Sequence, residues 1–140
     1  MTTDTNEPTP TAQRQLLYIE DVPENVRLIE HIFRVFGDLA VSAAAQGRSG
    51  IELARQRRPD VILLDLHLPD MSGDEVMAAL LADPATRDIP IVVVSGETEP
   101  AVRSRVIERG AAAYVTKPFE VADLVALVHR LIGAPRHAQR

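Results

Sequence analysis

The chain contains no cysteine, only two tyrosines and three phenylalanines in 140 residues, and no long apolar run. Without cysteine there are no disulfides, no thiolate metal sites and no cysteine nucleophile. No apolar stretch approaches the roughly 18 residues of a membrane-spanning helix. The start, Met1 to Gln13, lacks the basic residues and apolar centre of a secretory signal. These absences together predict a soluble, cytoplasmic protein with no membrane insertion. A positive stripe is missing too. Net charge is −5, and basic residues sit among acids, as in Arg55, Arg57, Arg58 and then Asp60, which disfavours direct nucleic-acid binding. No phosphate loop of the form G-x-x-x-x-G-K-S/T and no G-x-G-x-x-G turn follows an apolar run, so a nucleotide enzyme is disfavoured as well.

What is present suits one domain: 140 residues at 46% hydrophobic content fill a single core and leave no room for a second. Composition shifts only at the ends. Residues 1–14, rich in Thr, Pro and acids, are expected to be a disordered tail, residues 15–134 the domain, and residues 135–140 a short polar tail. Three short aliphatic runs, Leu16 to Ile19, Val61 to Leu64 and Ile91 to Val94, read as buried parallel strands. Leu39 to Ala44 and Ala112 to Val115 are weaker strand candidates, each placed after a glycine, Gly37 or Gly110, that suits a helix C-terminus.

Helical spacing fills the intervals. Val26, Ile29, Phe33 and Phe36 keep one apolar face, and Val76 with Leu80 and Val102 with Val106 repeat the i, i+4 spacing. Ser72 and Glu75 are spaced as a capping box, which predicts a helix start there. Strands alternating with helices through short connections imply an α/β fold. It is a single, open, doubly wound domain with a five-stranded parallel sheet and five helices, covered on both faces by right-handed crossovers.

In such a sheet ligands bind beyond the carboxyl ends of the strands. The residues at those ends are Glu20, Asp21, Asp65, Ser95 and Lys117, all polar although each trails a strand that should be buried. With the third strand central and beside the first, three carboxylates crowd one spot. Two unit charges about 4 Å apart repel by roughly 4 kcal/mol at an effective dielectric near 20, so the cluster calls for a cation or a raised pKa. Oxygen ligands without a full cage favour Mg²⁺, an ion that commonly accompanies phosphate. Lys117 and Ser95 can each hold a phosphoryl oxygen, which makes Asp65 a candidate nucleophile. Taken singly, each residue is as well explained by a loop, a cap or a turn. The joint pattern carries the argument.

These segments resemble the receiver domains of two-component response regulators. The matching stretches are Leu17-Tyr18-Ile19-Glu20-Asp21, Leu63 to Gly73 around Asp65, Val92-Val93-Val94-Ser95-Gly96 and Tyr114-Val115-Thr116-Lys117-Pro118-Phe119. The resemblance implies a flavodoxin-like fold in which Asp65 takes a phosphoryl group from the phosphohistidine of a histidine kinase or a histidine phosphotransfer protein. Mg²⁺ would be bound by Asp21, Asp65 and the backbone carbonyl of His67, with Glu20 acting through a metal-bound water. Lys117 would pair with the phosphoryl group, while Ser95 moves to it and lets Tyr114, the aromatic switch position, turn inward. His67 and Glu97 fall where family members vary and where the phosphoryl lifetime is tuned. The resemblance also implies that the Lys117-Pro118 bond can be cis.

A receiver is a signalling phosphoacceptor rather than an enzyme, and with no room after Gly133 for an output domain the signal is expected to pass to a downstream protein target. The first acidic segment also resembles receivers fused behind hybrid sensor kinases. The last helix, Val121 to Ile132, is apolar on more than one face, which suits either a homodimer or partner surface or a broad stripe buried on the sheet. Two other functions compete with the phosphoacceptor. A phosphorylation-independent pseudo-receiver binding module would usually have lost an acid or the lysine, and both are retained. An aspartyl-phosphate phosphohydrolase would place a second Asp two residues after the nucleophile, where this chain has His67. His31, His129 and His137 are assigned no chemistry.

Overall fold

The computed structural model describes residues 13–133. The remaining residues of the expected tails, and His137 with them, lie outside this range. The elements alternate as the apolar spacing requires: β1 (Gln15–Ile19), α1 (Pro23–Ile32), β2 (Ala40–Ala44), α2 (Gly47–Arg57), β3 (Val61–Leu64), α3 (Gly73–Ala82), β4 (Ile91–Ser95), α4 (Pro100–Glu108), β5 (Ala113–Thr116) and α5 (Val121–Ile132). The five strands form one parallel sheet in the order β2-β1-β3-β4-β5. This is the expected doubly wound α/β fold, with the third strand central and paired to the first.

Side chains alternate across each strand, so every central strand feeds two cores. Leu17, Ile19, Ile62, Leu64 and Val93 face Ala54 of α2, Val76, Met77 and Leu80 of α3, and Val106 of α4. Leu16, Tyr18, Leu63, Val92 and Val94 face Ile29 and Ile32 of α1 and Leu124, Val128 and Ile132 of α5. Each fully buried aliphatic side chain contributes about 1.5–3 kcal/mol relative to exposure. A strand buried on both faces therefore reads as a continuous apolar run, and its register is held from both sides.

Proline opens α1 and α4, where a missing N–H costs nothing. The capping box forms at α3: Glu75 N donates to Ser72 Oγ at 3.1 Å, and Ser72 N to Glu75 Oε1 at 3.0 Å. Gly110 has φ +122 and follows the C-cap of α4, as its position suggested. The end of α1 departs from expectation. Residues Phe33–Gly37 form a π turn, whose wider spacing rotates Phe36 off the buried stripe and leaves it 63% exposed. The left-handed residue is then Asp38 (φ 56), not Gly37. Gly37 instead lies against the Phe33 ring so closely that no Cβ fits.

In α5, Leu124, Val128 and Ile132 are buried, and Val125, Leu127 and Leu131 pack on the same core. Of the large apolar residues of α5, only Val121 is exposed, at 37%. The breadth of that stripe is used by the sheet.

Candidate functional site

Parallel register assembles the site. Ile19 lies beside Leu64, so Glu20 and Asp65 leave the sheet together, and Asp65 N donates to Ile19 O at 3.1 Å. On the other side Ser95 lies beside Thr116, and Lys117 N donates to Ser95 O at 2.9 Å. The five polar strand-end residues, Glu20, Asp21, Asp65, Ser95 and Lys117, thus share the carboxyl edge of β1, β3, β4 and β5.

Carboxylate oxygens of Glu20, Asp21 and Asp65 lie within 4.8 Å of one another; Glu20 and Asp65 are buried and Asp21 is exposed. Two buried like charges at that separation repel by about 3–4 kcal/mol at an effective dielectric near 20. Burial, and next the charge of Glu20, push the Asp65 carboxyl above its ordinary range, while Lys117 and the backbone N–H of His67 pull it back in part. Crowding of this carboxyl with Glu20 and Asp21 makes a further cation favourable here. The donor set is all oxygen, partly open to solvent and anionic, which fits a hard divalent ion that keeps some of its waters.

Glu20, only 1% exposed, has both carboxylate oxygens hydrogen-bonded. Its Oε1 accepts from Lys117 Nζ at 3.1 Å and from Tyr18 Oη at 3.0 Å, and its Oε2 from Val22 N at 3.1 Å. Lys117 is therefore paired to Glu20 in this conformation, and the peptide it forms with Pro118 is cis. Ser95, fully buried, accepts from Glu97 N at 3.1 Å through Oγ. Tyr114 is buried, its hydroxyl donating to Glu97 O at 2.7 Å and its ring lying 5.9 Å from the Arg103 guanidinium. It occupies an inward position in this conformation. His67 and Glu97 face each other at the rim, Nε2 to Oε1 at 3.9 Å, with His67 largely exposed.

Two contributors were hidden from sequence reasoning. Tyr18 sat inside an apolar run, yet strand alternation places residues 18 and 20 on the same face, and that parity was the available signal. Burial, then the charge of Glu20, hold the Tyr18 hydroxyl far above its ordinary range, so it stays a donor. Asp70 closes the loop after β3 from outside: its carboxylate accepts from Gly47 N at 2.7 Å and Arg48 N at 2.9 Å, supplying α2 with the cap its own N-cap residue, Gln46, does not provide. Those two N–H bonds, Arg48 first, draw the Asp70 carboxyl below its ordinary range. Sequence spacing carries no sign of a cap delivered from another loop. At the other end of that loop, a Cβ on Gly73 would lie 2.6 Å from Leu66 Cα and 2.9 Å from Asp65 O, so only glycine lets α3 start this close to the site.

Comparison with known proteins points to one family. The family described as the response regulator receiver domain matches residues 16–129. Hybrid signal transduction histidine kinase D of Dictyostelium discoideum is 35% identical over 124 residues, covering 89% of this chain and 8% of that protein. Response regulator PleD of Caulobacter vibrioides is 35% identical over 117 residues, 84% of this chain and 26% of that protein. The chain thus spans a small part of either relative. Among solved structures, the receiver domain of sensor histidine kinase PA1611 from Pseudomonas aeruginosa PAO1, with a magnesium ion coordinated in its active-site cleft, superposes with a TM-score of 0.79. It is 30% identical, with 87% of this chain and 99% of that one covered.

Proposed function

Because the chain belongs to the response regulator receiver domain family, we propose that it is a phosphoacceptor of a two-component or phosphorelay system in which Asp65 takes the phosphoryl group. The observation that carries this reading is the gathering of Glu20, Asp21 and Asp65 beside Lys117 at the carboxyl edge of the sheet. The donor is the phosphohistidine of a histidine kinase or a histidine phosphotransfer protein. Its P–N bond breaks as a P–O bond forms to an Asp65 carboxylate oxygen, and the released imidazole nitrogen takes up a proton. Such a reaction needs positioning and charge neutralisation more than covalent machinery.

Asp21, Asp65 and the His67 backbone carbonyl would hold Mg²⁺, with Glu20 contributing through a water. When bound, the ion supplies positive charge for the phosphoryl oxygens and for the crowded carboxylates. Lys117 transfers from Glu20 to a phosphoryl oxygen, and the Ser95 hydroxyl leaves Glu97 N for another. Glu97 is the residue whose carbonyl holds Tyr114, so moving Ser95 changes the loop that anchors the Tyr114 ring. Phosphorylation then shifts a two-state equilibrium, and the surface around β4, α4 and β5 reports it to a downstream protein. His67 and Glu97 flank the acceptor and set access to the phosphoryl group. The chain acts as a signalling component of the cytoplasm and not as an enzyme on a separate substrate. Among the described residues no helix is long and apolar enough to cross a membrane.

Incubation with Mg²⁺ and acetyl phosphate, followed by intact-mass measurement, tests the assignment. Wild type should gain one phosphoryl group and Asp65→Ala none. If wild type gains no mass and its amide NMR spectrum is unmoved by beryllofluoride with Mg²⁺, the phosphoacceptor reading fails and a phosphorylation-independent binding module replaces it.

A further inference from the structure

The proposed transfer requires Lys117 to leave a carboxylate that is buried almost completely. Glu20 is 1% exposed, so bulk solvent does not replace a donor that leaves its Oε1, and a buried carboxylate oxygen that loses one of its two donors is disfavoured. Two side-chain donors share its Oε1, Lys117 Nζ at 3.1 Å and Tyr18 Oη at 3.0 Å. One is a flexible, partly exposed lysine. The other is a tyrosine 1% exposed in β1, its ring fixed in the core with Leu63, Ile29 and Leu124. A lysine can swing away; this ring cannot.

We propose that Tyr18 is a positioning residue that keeps Glu20 fixed and hydrogen-bonded while Lys117 moves from Glu20 to the phosphoryl group on Asp65. The proposal rests on Asp65 being the acceptor. It assigns Tyr18 a role that packing alone does not require, since phenylalanine would fill the same volume. The role belongs to the phosphorylated state: with Lys117 on Glu20 the two donors are partly redundant, and once Lys117 leaves, Tyr18 is the remaining side-chain donor to Oε1.

The test uses Tyr18→Phe in wild-type and Lys117→Ala backgrounds, with thermal melting to confirm folding. Beryllofluoride affinity in excess Mg²⁺ and affinity for Mg²⁺ alone are measured by calorimetry, and the phosphorylation rate with acetyl phosphate by intact mass. In the wild-type background Tyr18→Phe should lower beryllofluoride affinity and phosphorylation rate about tenfold, as expected for loss of a hydrogen bond to a charged group. Affinity for Mg²⁺ alone should stay within about twofold, because Lys117 still holds Glu20. In the Lys117→Ala background the same substitution should weaken Mg²⁺ binding by about fivefold or more.

Beryllofluoride affinity within about twofold of wild type overturns the proposal. So does an equal loss of Mg²⁺ affinity in both backgrounds, the signature of general loosening. If Tyr18→Phe does not fold, the buried Tyr18 hydroxyl proton, hydrogen-bonded to Glu20, is followed by NMR in wild type: a downfield shift on beryllofluoride binding supports the role, and an unmoved resonance overturns it. A wild type that takes neither beryllofluoride nor acetyl phosphate overturns the acceptor reading and this inference together. A wild type that takes both while Tyr18→Phe matches it overturns this inference alone.

Discussion

The two ends of the sheet bury polar groups in opposite ways. At the amino end the polar contacts tie elements together: Gln15 N donates to Asp60 Oδ2 at 2.8 Å, Asp60 N to Gln15 O at 2.8 Å, and Arg14 donates to the carbonyls of Ile132 and Gly133 at the end of α5. His129 meets Gly37 O at 2.8 Å across the π turn. Every one of these contacts involves a backbone group, and none crowds like charges. At the carboxyl end Glu20 and Asp65 are buried close together, and two of the side chains that hydrogen-bond there, Lys117 and Ser95, are the ones that phosphorylation would draw away. One end is built to stay as it is. The other crowds like charges in a way that, on the proposed reading, a cation and a phosphoryl group would relieve, which would let a stable fold carry a switch.

Substituting the acceptor should separate the two ends most sharply. Asp65→Asn is expected to abolish phosphorylation by acetyl phosphate and at the same time to raise metal-free stability by about 1 kcal/mol, because it removes one of two repelling, desolvated charges. Intact mass and urea unfolding in EDTA check both halves. A destabilised Asp65→Asn would mean that the carboxyl end is held together by the same logic as the amino end.

Mg²⁺ should then move stability at one end only. At a concentration 100 times its dissociation constant it should stabilise wild type by about 2.7 kcal/mol. In Asp21→Asn that gain should nearly vanish at the same Mg²⁺ concentration, with little change in metal-free stability, since Asp21 is the exposed member of the cluster. Thermal melts across a Mg²⁺ series measure this. At the amino end, Asp60→Ala removes the acceptor of Gln15 N and should lower stability by about 1 kcal/mol, leaving Mg²⁺ affinity and the phosphorylation rate unchanged. A slower phosphorylation in Asp60→Ala would show that the two ends are coupled through β1 and β3.

How much of this was legible in the sequence follows from how local each feature is. Branched aliphatic runs four residues long announced β1, β3 and β4, because a strand buried on both faces has no polar positions to interrupt it. The acids and the serine that end those runs were conspicuous for the same reason, Lys117 followed the weaker β5 candidate, and parallel register then brought Glu20, Asp65, Ser95 and Lys117 together. The capping box was legible because Ser72 and Glu75 lie within one turn. What escaped depends on non-local geometry. The π turn that exposes Phe36 reflects the fit of Gly37 against Phe33, the cap that Asp70 gives α2 crosses 23 residues, and Tyr18 was concealed by the apolar run that carries it.

The smallest expected effect is also the most diagnostic, because it has opposite signs at different carboxyls. Asp65 has a folded-state pKa above its ordinary value, so over the interval between the two the folded protein binds a proton that the unfolded chain has lost. Stability therefore falls as pH rises through that interval and returns as pH is lowered. Asp70 and Asp83 are shifted down, Asp70 by the N–H groups of Arg48 and Gly47 and Asp83 by Ala85 N and Arg55. Their contribution is complete above the ordinary carboxyl range and is lost only as pH falls through their lowered values. Going from neutral pH down to the ordinary carboxyl range, metal-free wild type should gain stability relative to Asp65→Asn, so that the gap between them narrows. Below that range both proteins should lose stability in parallel. Urea midpoints of the two proteins in EDTA, taken across that pH series, give the gap directly. A gap that stays constant would locate the gain from Asp65→Asn in packing rather than in charge, and the carboxyl end would lose the property that sets it apart.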